Sequence, residues 1–350
     1  MSARTVIGWA VAALVTVALA VWAVVEAPAP ASVTVAGEPA FPALRANPQA
    51  AARITIRSSL GDFTLERGDG GAWVVKEKYG YPVDTTEVRK LIVTLSDLRL
   101  VERKTRRPKR YPRIDVEDPG TKGSESRLVH VEAADGSVLA EAILGKERLR
   151  YTGGRENGVY LRRPGEDQAW LASGGMYVKR RLDDWMDKDV VNVAADDVAE
   201  VAIAPAGGTP AFAARRAQKG APLVLDPAPP AGREADPDAI KRLASVLSFV
   251  RMKDVVPAAT KPLPKDRTVA RLTTFDGVEV VAETVKLDKS YWLTIRARFV
   301  GEGTPSKEAK ARIAAIEKRT KGWVYEVAEY IHDRLAKPYD EYLKKRVGGS

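Results

Sequence analysis

Hydrophobic residues are concentrated at the start of this 350-residue chain, where residues 6–25 form an apolar run without a charged side chain. A helix rises about 1.5 Å per residue, so such a run spans roughly 30 Å, the thickness of a bilayer core. Arg4 precedes the run and Glu26 follows it, which favours a cytoplasmic N-terminus and an exported remainder. The pattern predicts a single-pass transmembrane anchor over residues 1–26. A secretory signal cleaved near Ala27 is the alternative, although such signals have apolar stretches of about 7 to 15 residues.

After the anchor, residues 27–52 are rich in Ala and Pro and lack hydrophobic periodicity. Pro-rich segments are extended and semi-rigid. We therefore interpret residues 27–52 as a tether that carries a folded body. The rest of the chain, about 300 residues, is long enough for two domains.

Two segments show apolar residues at the three- and four-residue spacing of an amphipathic helix. Asp84 precedes the first stripe, which includes Leu91, and Asp236 precedes the second, which includes Leu243. Aspartate is a favoured N-cap residue, and Glu87 follows Asp84 at the spacing of a capping box. The pattern predicts two similar helices, each capped by an aspartate.

Alternating apolar and polar positions around these helices predict strands, in the same order in both halves of the chain. Asp135-Gly136 and Asp276-Gly277 each separate a pair of such strands. Asp-Gly is a strong hairpin signal, and strands paired through hairpins form antiparallel sheets with helices on one face.

The predicted fold class is therefore α+β. An N-terminal transmembrane helix is followed by two tandem similar units, residues 53–197 and 198–345, each an antiparallel sheet with packed helices. The second unit carries a helical insertion at about residues 300–321, where residues 307–318 have the composition of a solvated helix.

Residues with evident chemistry are few. Cysteine is absent, which excludes disulfides and thiolate sites. No G-x-S-x-G elbow, P-loop or dinucleotide fingerprint occurs. His130 falls in a strand pattern and His332 in a helix pattern, neither with a second ligand at metal spacing. The aspartates of residues 183–189 suit a helix start better than a metal. We expect no catalytic residue, no metal and no cofactor.

A dense group of cationic side chains is the one local feature above background. The chain has 56 Lys and Arg against 46 Asp and Glu, a net charge of +10, and seven of the cations fall within eleven positions, interrupted by Pro108 and Pro112. We define this basic loop by its cationic residues: Arg103, Lys104, Arg106, Arg107, Lys109, Arg110 and Arg113. Such a loop attracts anions. Because the chain is predicted to be exported, we expect no nucleic acid partner, which leaves anionic lipid, an anionic envelope glycan, an acidic patch on a protein, or a solvated loop without a partner.

Several stretches of the chain resemble a family, the bacterial domain of unknown function 4340. The stretches are Trp73-Val74-Val75, Val116-Glu117-Asp118-Pro119, Tyr160-Leu161-Arg162, Trp170-Leu171-Ala172-Ser173, Asp184-Trp185-Met186-Asp187-Lys188 and Lys321-Gly322-Trp323. The resemblance implies one membrane anchor and an auxiliary envelope role, since many members are encoded beside the permease and ATPase of gliding-motility-type ABC transport systems. It also implies a location in the bacterial inner membrane, with most of the chain in the periplasm.

Three classes of function follow from this combination. The leading expectation is a noncatalytic, membrane-anchored accessory or scaffold protein of an ABC-type transport system, held in the membrane by residues 6–25 and bound to the permease or another membrane protein. The alternative is a binding module for an anionic envelope glycan or lipid. The third class is an enzyme with scattered carboxylates, which need no local signature.

Overall fold

The computed structural model describes residues 37–149, 157–207 and 211–346. Strands dominate these residues, which contain 21 strands and five α-helices. The strands are β1 (Glu38–Pro39), β2 (Ala51–Ser58), β3 (Gly61–Arg67), β4 (Trp73–Val75), β5 (Tyr81–Pro82), β6 (Arg99–Arg103), β7 (Arg127–Ala133), β8 (Val138–Arg148), β9 (Gly158–Arg162), β10 (Ala169–Ser173), β11 (Asp189–Val191), β12 (Val198–Ala204), β13 (Phe212–Arg215), β14 (Val224–Asp226), β15 (Arg233–Ala235), β16 (Val250–Pro257), β17 (Thr268–Thr274), β18 (Val278–Leu287), β19 (Ser290–Phe299), β20 (Trp323–Val327) and β21 (Leu343–Lys345). The helices are α1 (Pro42–Ala46), α2 (Thr85–Asp97), α3 (Pro237–Leu243), α4 (Lys307–Thr320) and α5 (Glu329–Ala336).

Two large sheets contain most of the strands. The first has ten strands in the order β1-β6-β10-β9-β8-β7-β2-β3-β4-β5, and the second has nine in the order β11-β16-β20-β19-β18-β17-β12-β13-β14. β15 and β21 form a separate two-stranded sheet. The run β6-β10-β9-β8-β7-β2-β3-β4 of the first sheet recurs in the second as β16-β20-β19-β18-β17-β12-β13-β14. The connection from β6 to β7 therefore has a counterpart from β16 to β17.

Alternating burial explains why these segments form strands. Ile54 and Ile56 on β2 are fully buried. On β12, Val201 is fully buried and Ile203 is almost fully buried. Successive strand residues point to opposite faces, so residues two apart share the buried face. In the second sheet, Val201 lies opposite Leu272 of β17 in an antiparallel ladder, and the paired side chains form part of the core.

The predicted α+β class is wrong. The described chain is mostly antiparallel sheet with few helices. Most of the apolar pattern is used by strands of up to eleven residues, whereas the helices have at most fourteen. Short amphipathic segments are ambiguous between the two structures when read from sequence alone, and here the strand is the usual outcome.

The two tandem units predicted at 53–197 and 198–345 stay a prediction, and their bounds differ from those of the compact units in the structure. The chain forms two compact units, each assembled from segments that are distant in sequence. In described residues, the first unit comprises 37–52, 56–59, 90–149 and 157–178, and the second comprises 53–55, 60–89, 179–207 and 211–346. Residues 60–89 therefore belong with the C-terminal part of the chain, which no local pattern indicates.

The membrane predictions require a correction. Within the described ranges, no helix combines the length and the apolar character needed to cross a bilayer. The anchor predicted for residues 1–26, with its apolar run at 6–25, lies outside the described residues. The predicted single-pass topology and inner-membrane location are therefore not retained.

Part of the segment interpreted as a tether is folded. Residues 27–36 lie outside the described residues, but β1, α1 and the first two residues of β2 fall within 37–52. Phe41 and Leu44 are buried, and Arg45 N donates to Phe41 O in the first turn of α1. The high Ala and Pro content led to the tether interpretation, whereas two buried apolar side chains, Phe41 and Leu44, hold this segment within the first unit.

Both predicted helix caps are confirmed. Asp236 Oδ1 accepts hydrogen bonds from Asp238 N at 2.9 Å and Ala239 N at 3.2 Å at the start of α3. Asp84 Oδ1 accepts from Thr86 N at 2.9 Å at the start of α2. Each bond satisfies an amide that the helix itself leaves without an acceptor.

The capping box predicted at α2 is wrong. Asp84 N donates to Trp185 O at 3.2 Å instead of to the side chain of Glu87. Glu87 Oε2 lies 2.9 Å from Lys179 Nζ, in an ion pair. Asp84 N and the Glu87 side chain, which a capping box would join to each other, are therefore each bound to a residue that is distant in sequence.

Both Asp-Gly hairpins and the extra helix are confirmed. Gly136 has φ 84° in the turn between β7 and β8, and Gly277 has φ 76° between β17 and β18, a conformation that glycine adopts without strain. Helix α4 spans Lys307–Thr320, and the Ser306 hydroxyl accepts from Ala309 N at 3.1 Å as its N-cap.

Candidate functional site

The basic loop follows β6 directly and lies in the first compact unit. Arg103 is the last residue of β6, and Lys104, Arg106 and Arg107 follow it without regular structure. The 3₁₀ helix Pro108–Arg113 then carries the last three cations, Lys109, Arg110 and Arg113. The two prolines at 108 and 112 are compatible with this short tight helix and prevent a regular α-helix. All seven cations therefore follow one another along a single surface connection between β6 and β7.

Three of the seven cationic side chains have a partner. The Arg103 guanidinium lies 5.3 Å from the centroid of the Trp170 ring, within cation–π range. Arg106 Nε donates to Gln168 Oε1 at 2.8 Å. Lys104 forms an ion pair with Glu102.

The other four cations have no such partner. Arg107, Lys109, Arg110 and Arg113 are exposed. Their side chains form no ion pair and no hydrogen bond with any residue of the described ranges. The charge of the loop is thus divided into three side chains fixed against the first sheet and four that point to solvent.

The backbone beneath these cations is held at both ends of the loop. At the first end, Lys104 N donates to Ala169 O at 2.8 Å and Ala169 N donates to Thr105 O at 2.9 Å, which extends the pairing of β6 with β10. At the other end, Ile114 N donates to Tyr111 O at 3.0 Å. These bonds fix the loop although its composition is polar.

Tyr111 anchors the centre of the loop. Its side chain is buried with Val116, Ile143 and Ala169. The Tyr111 hydroxyl donates to Asp167 O at 2.7 Å. Burial raises the pKa of the Tyr111 phenol, an effect that the Arg162 charge opposes, so the hydroxyl remains protonated and can donate at physiological pH.

Arg162 holds the same region from strand β9. Its guanidinium lies 4.7 Å from the centroid of the Tyr111 ring. Arg162 Nε donates to Val116 O at 2.9 Å, and one terminal nitrogen lies 2.6 Å from Asp118 Oδ1. The Arg162 side chain is 7 % exposed. A buried guanidinium with several acceptors fixes the chain that follows the loop.

Gly145 on β8 permits the close approach of the loop's last residues. A Cβ at position 145 would lie 2.1 Å from Ile114 O and 2.8 Å from a Val116 side-chain carbon. Lys146 N donates to Ile114 O at 3.1 Å just beyond it. No side chain larger than hydrogen fits at position 145 without displacing the loop.

Sequence reasoning found the seven cations but missed the residues that hold them. Gln168, Arg162 and Gly145 lie 32 to 65 positions from Arg113 and Arg103 in the chain, and no local motif connects them with the loop. Arg162 did carry one signal, because it belongs to the Tyr160-Leu161-Arg162 stretch of the family resemblance. Nothing in the sequence indicated which three of the seven cations have a partner within the described ranges and which four have none there.

The two histidines have partners of their own. His130 lies on β7 and His332 on α5, as predicted. His130 Nδ1 lies 2.9 Å from Glu141 Oε1, and His332 Nδ1 lies 3.0 Å from the Thr284 hydroxyl. Burial lowers the pKa of His332, and the nearby Asp333 offsets this only in part. Across the described residues, no group of three or more His, Asp or Glu side chains could hold a metal ion.

Fold and site together define a sheet-rich protein with a clamped cationic connection on its first sheet. Residues 73–270 match the family described as Domain of unknown function (DUF4340). The match covers more than half of the chain and includes the basic loop, so the chain belongs to this family, as the resemblance predicted. No curated protein and no solved structure matches the chain.

Proposed function

We propose that this protein is a noncatalytic accessory component that docks onto an acidic face of a partner protein through the basic loop. One observation carries the proposal: Arg107, Lys109, Arg110 and Arg113 are exposed without an ion pair in the described chain, on a backbone that Tyr111 and its neighbours hold in place. Like charges crowded together repel one another and contribute little to folding. Their density therefore favours a role outside the fold.

An acidic protein surface suits this arrangement better than an anionic lipid in a fluid membrane or a flexible anionic glycan. Three of the four cations are arginines, whose planar guanidinium matches a carboxylate with two parallel hydrogen bonds. A backbone fixed before binding keeps the charges in one geometry, which lowers the entropic cost of meeting a complementary surface. Complementary charge also accelerates encounter and selects the partner.

A component of an ABC-type transport system is the first candidate partner. This part of the proposal rests on the family resemblance, since members are often encoded beside such components. Binding of an anionic glycan or lipid is the alternative, and it rests on the same four cations.

Site-specific photo-crosslinking in living cells tests the proposal. A photo-crosslinking amino acid replaces Arg110 in the full-length chain, and in a matched control it replaces Arg148, an exposed arginine outside the loop. We expect a discrete protein adduct from position 110 that is absent from position 148, and mass spectrometry of that adduct identifies the partner. A permease or ATPase of an ABC system would support the transport assignment as well.

Two outcomes would contradict the proposal. An adduct at position 110 that consists of glycan or lipid would favour the alternative function. Equal adduct patterns at positions 110 and 148 would mean that the loop is merely solvated.

A further inference from the structure

A cleft in the second compact unit has the size of a small-molecule site. It lies between α4, strand β19 and the connection from β16 to β17, and its volume is about 370 Å³. Ligand sites have volumes of roughly 300 to 1,000 Å³. Leu263, Ile295 and Trp323 supply apolar lining.

The carboxylates that line this cleft are already engaged. Glu283 Oε2 lies 3.2 Å from Arg267 Nε, and Glu283 Oε1 lies 2.6 Å from a terminal nitrogen of Arg296. Glu317 Oε1 accepts a hydrogen bond from Ala297 N at 3.0 Å. Burial would raise the pKa of Glu283, but contact with the two arginines outweighs burial and holds that pKa below its usual value. Glu283 is therefore ionised and neutralised within the fold.

Two lysines of the lining are not neutralised. Lys261 and Lys321 both line the cleft, and neither forms an ion pair with another residue in the described part of the chain. Lys261 Nζ lies 4.2 Å from the centroid of the Trp292 ring, a cation–π contact that positions the ammonium without cancelling its charge. The lining carries four cations, Lys261, Arg267, Arg296 and Lys321, against two carboxylates, Glu283 and Glu317, so the cleft combines an apolar wall with a net positive charge.

A second cavity in the same unit shows the contrast. Its volume is about 420 Å³, and Arg312 and Arg319 supply its cationic lining. Arg312 pairs with Asp197 at 3.1 Å, and Arg319 pairs with Asp187 at 3.1 Å. Both arginines are committed to aspartates, so this cavity offers no comparable attraction to an anion.

We propose that the cleft beside α4 binds a small amphipathic anion. The anionic head group lies between the ammonium groups of Lys261 and Lys321, and the hydrocarbon part contacts Leu263, Ile295 and Trp323. A carboxylate or a phosphate monoester could supply the head group, since both accept hydrogen bonds from an ammonium. This inference is independent of the basic loop, which lies in the other unit.

Calorimetric titration of the purified full-length protein tests this proposal. The probes are octanoate, octyl phosphate, octylamine and octanol. We expect saturable binding of octanoate or octyl phosphate, and at least about tenfold weaker binding of octylamine and octanol. The stronger of the two anions identifies the head group.

Two pairs of variants locate the site. Lys261→Gln with Lys321→Gln should weaken binding of the anion at least about tenfold, whereas Lys310→Gln with Lys318→Gln, on α4 outside the lining, should leave it unchanged. Lys261→Arg with Lys321→Arg should retain binding, which separates lost charge from a lost fold. The proposal is overturned if no anion binds saturably, if octylamine binds as well as octanoate, or if the two glutamine pairs behave alike.

Discussion

The two sheets use the same connection in opposite ways. In the first sheet, the connection from β6 to β7 is the basic loop, and Arg107 and Arg110 are exposed without an ion pair among described residues. In the second sheet, the connection from β16 to β17 contains Lys261 and Arg267, and both are held against the sheet. Arg267 pairs with Glu283 of β18. One connection presents charge to solvent, and the other forms the wall of a cleft.

This difference shows that the composition of a loop does not decide the use of its charge. A cation is neutralised where a strand beside it supplies a carboxylate, as Glu283 does for Arg267, and is held in place with its charge intact where the strand supplies an aromatic ring, as Trp292 does for Lys261. Where the described fold supplies neither group, as for Arg107 and Arg110, the cations remain available to a partner.

Removing the buried side chain that anchors the basic loop should cause the largest loss of stability among these tests. Tyr111→Ala deletes a buried ring and its hydrogen bond to Asp167 O, so we expect a loss of about 3 kcal/mol in the free energy of unfolding. Urea denaturation measures this loss. Tyr177→Ala, at an exposed tyrosine of the same unit, should cost under about 1 kcal/mol. Equal losses would mean that Tyr111 does not anchor the loop.

A larger side chain at position 145, against the end of the basic loop, should cause the next largest loss of stability. Gly145→Ala places a Cβ against Ile114 O, so we expect a loss of about 1 to 3 kcal/mol from overpacking. Gly120→Ala is the control, because a Cβ at position 120 would meet nothing within 4 Å. Thermal unfolding of the two variants measures the difference. A neutral Gly145→Ala would show that the loop can move away from β8 without cost.

The ion pair between Glu283 and the second connection should make the free energy of unfolding depend on pH. The pKa of Glu283 is lowered in the fold, so the stabilisation from its ion pairs is complete above the unfolded value of about 4.3 and is lost as the pH falls through the folded value. Glu283→Gln should therefore cost about 1 kcal/mol at pH 7, and the cost should shrink below about pH 4.3. Urea denaturation from pH 7 to pH 3 measures it. Glu302→Gln, at an exposed glutamate, should show no such trend, and a cost for Glu283→Gln that is constant with pH would contradict the ion-pair account.

Neutralising the exposed cations should have the smallest effect on stability. Changing Arg107, Lys109, Arg110 and Arg113 together to Gln removes no ion pair of the described chain and relieves repulsion, so we expect a change within about 0.5 kcal/mol. Thermal unfolding checks this expectation. A large loss of stability would mean that these side chains are structural after all, which would remove the contrast between the two connections.

The sequence predicted the local features of this fold well. The Asp84 and Asp236 caps, the Asp135-Gly136 turn and the helix predicted at 307–318 depend on interactions within a few residues, and such interactions leave a pattern in the sequence. The balance of sheet over helix was mispredicted, because short amphipathic segments fit either structure until tertiary pairing decides.

Features that depend on distant residues could not be predicted. Glu87 forms its ion pair with Lys179, so the capping box read from local spacing was not formed. Residues 60–89 belong to the compact unit that contains the C-terminal part of the chain. In the candidate site, the sequence supplied the list of cations. Only the fold shows that Arg106 donates a hydrogen bond to Gln168, while Arg110 has no such partner among the described residues.

The most direct test of the account is the affinity of purified full-length protein for poly-L-glutamate, measured at low and high salt. The variant with Gln at positions 107, 109, 110 and 113 is compared with a control in which Arg89, Lys90, Lys122 and Arg148, which are exposed and outside the loop, are changed to Gln. Both variants lose four positive charges. We predict that the loop variant binds at least about tenfold more weakly than the control at low salt, and that the difference shrinks at high salt because screening weakens exposed charges. Equal weakening of both variants would contradict the account, because net charge rather than the clamped loop would then govern binding.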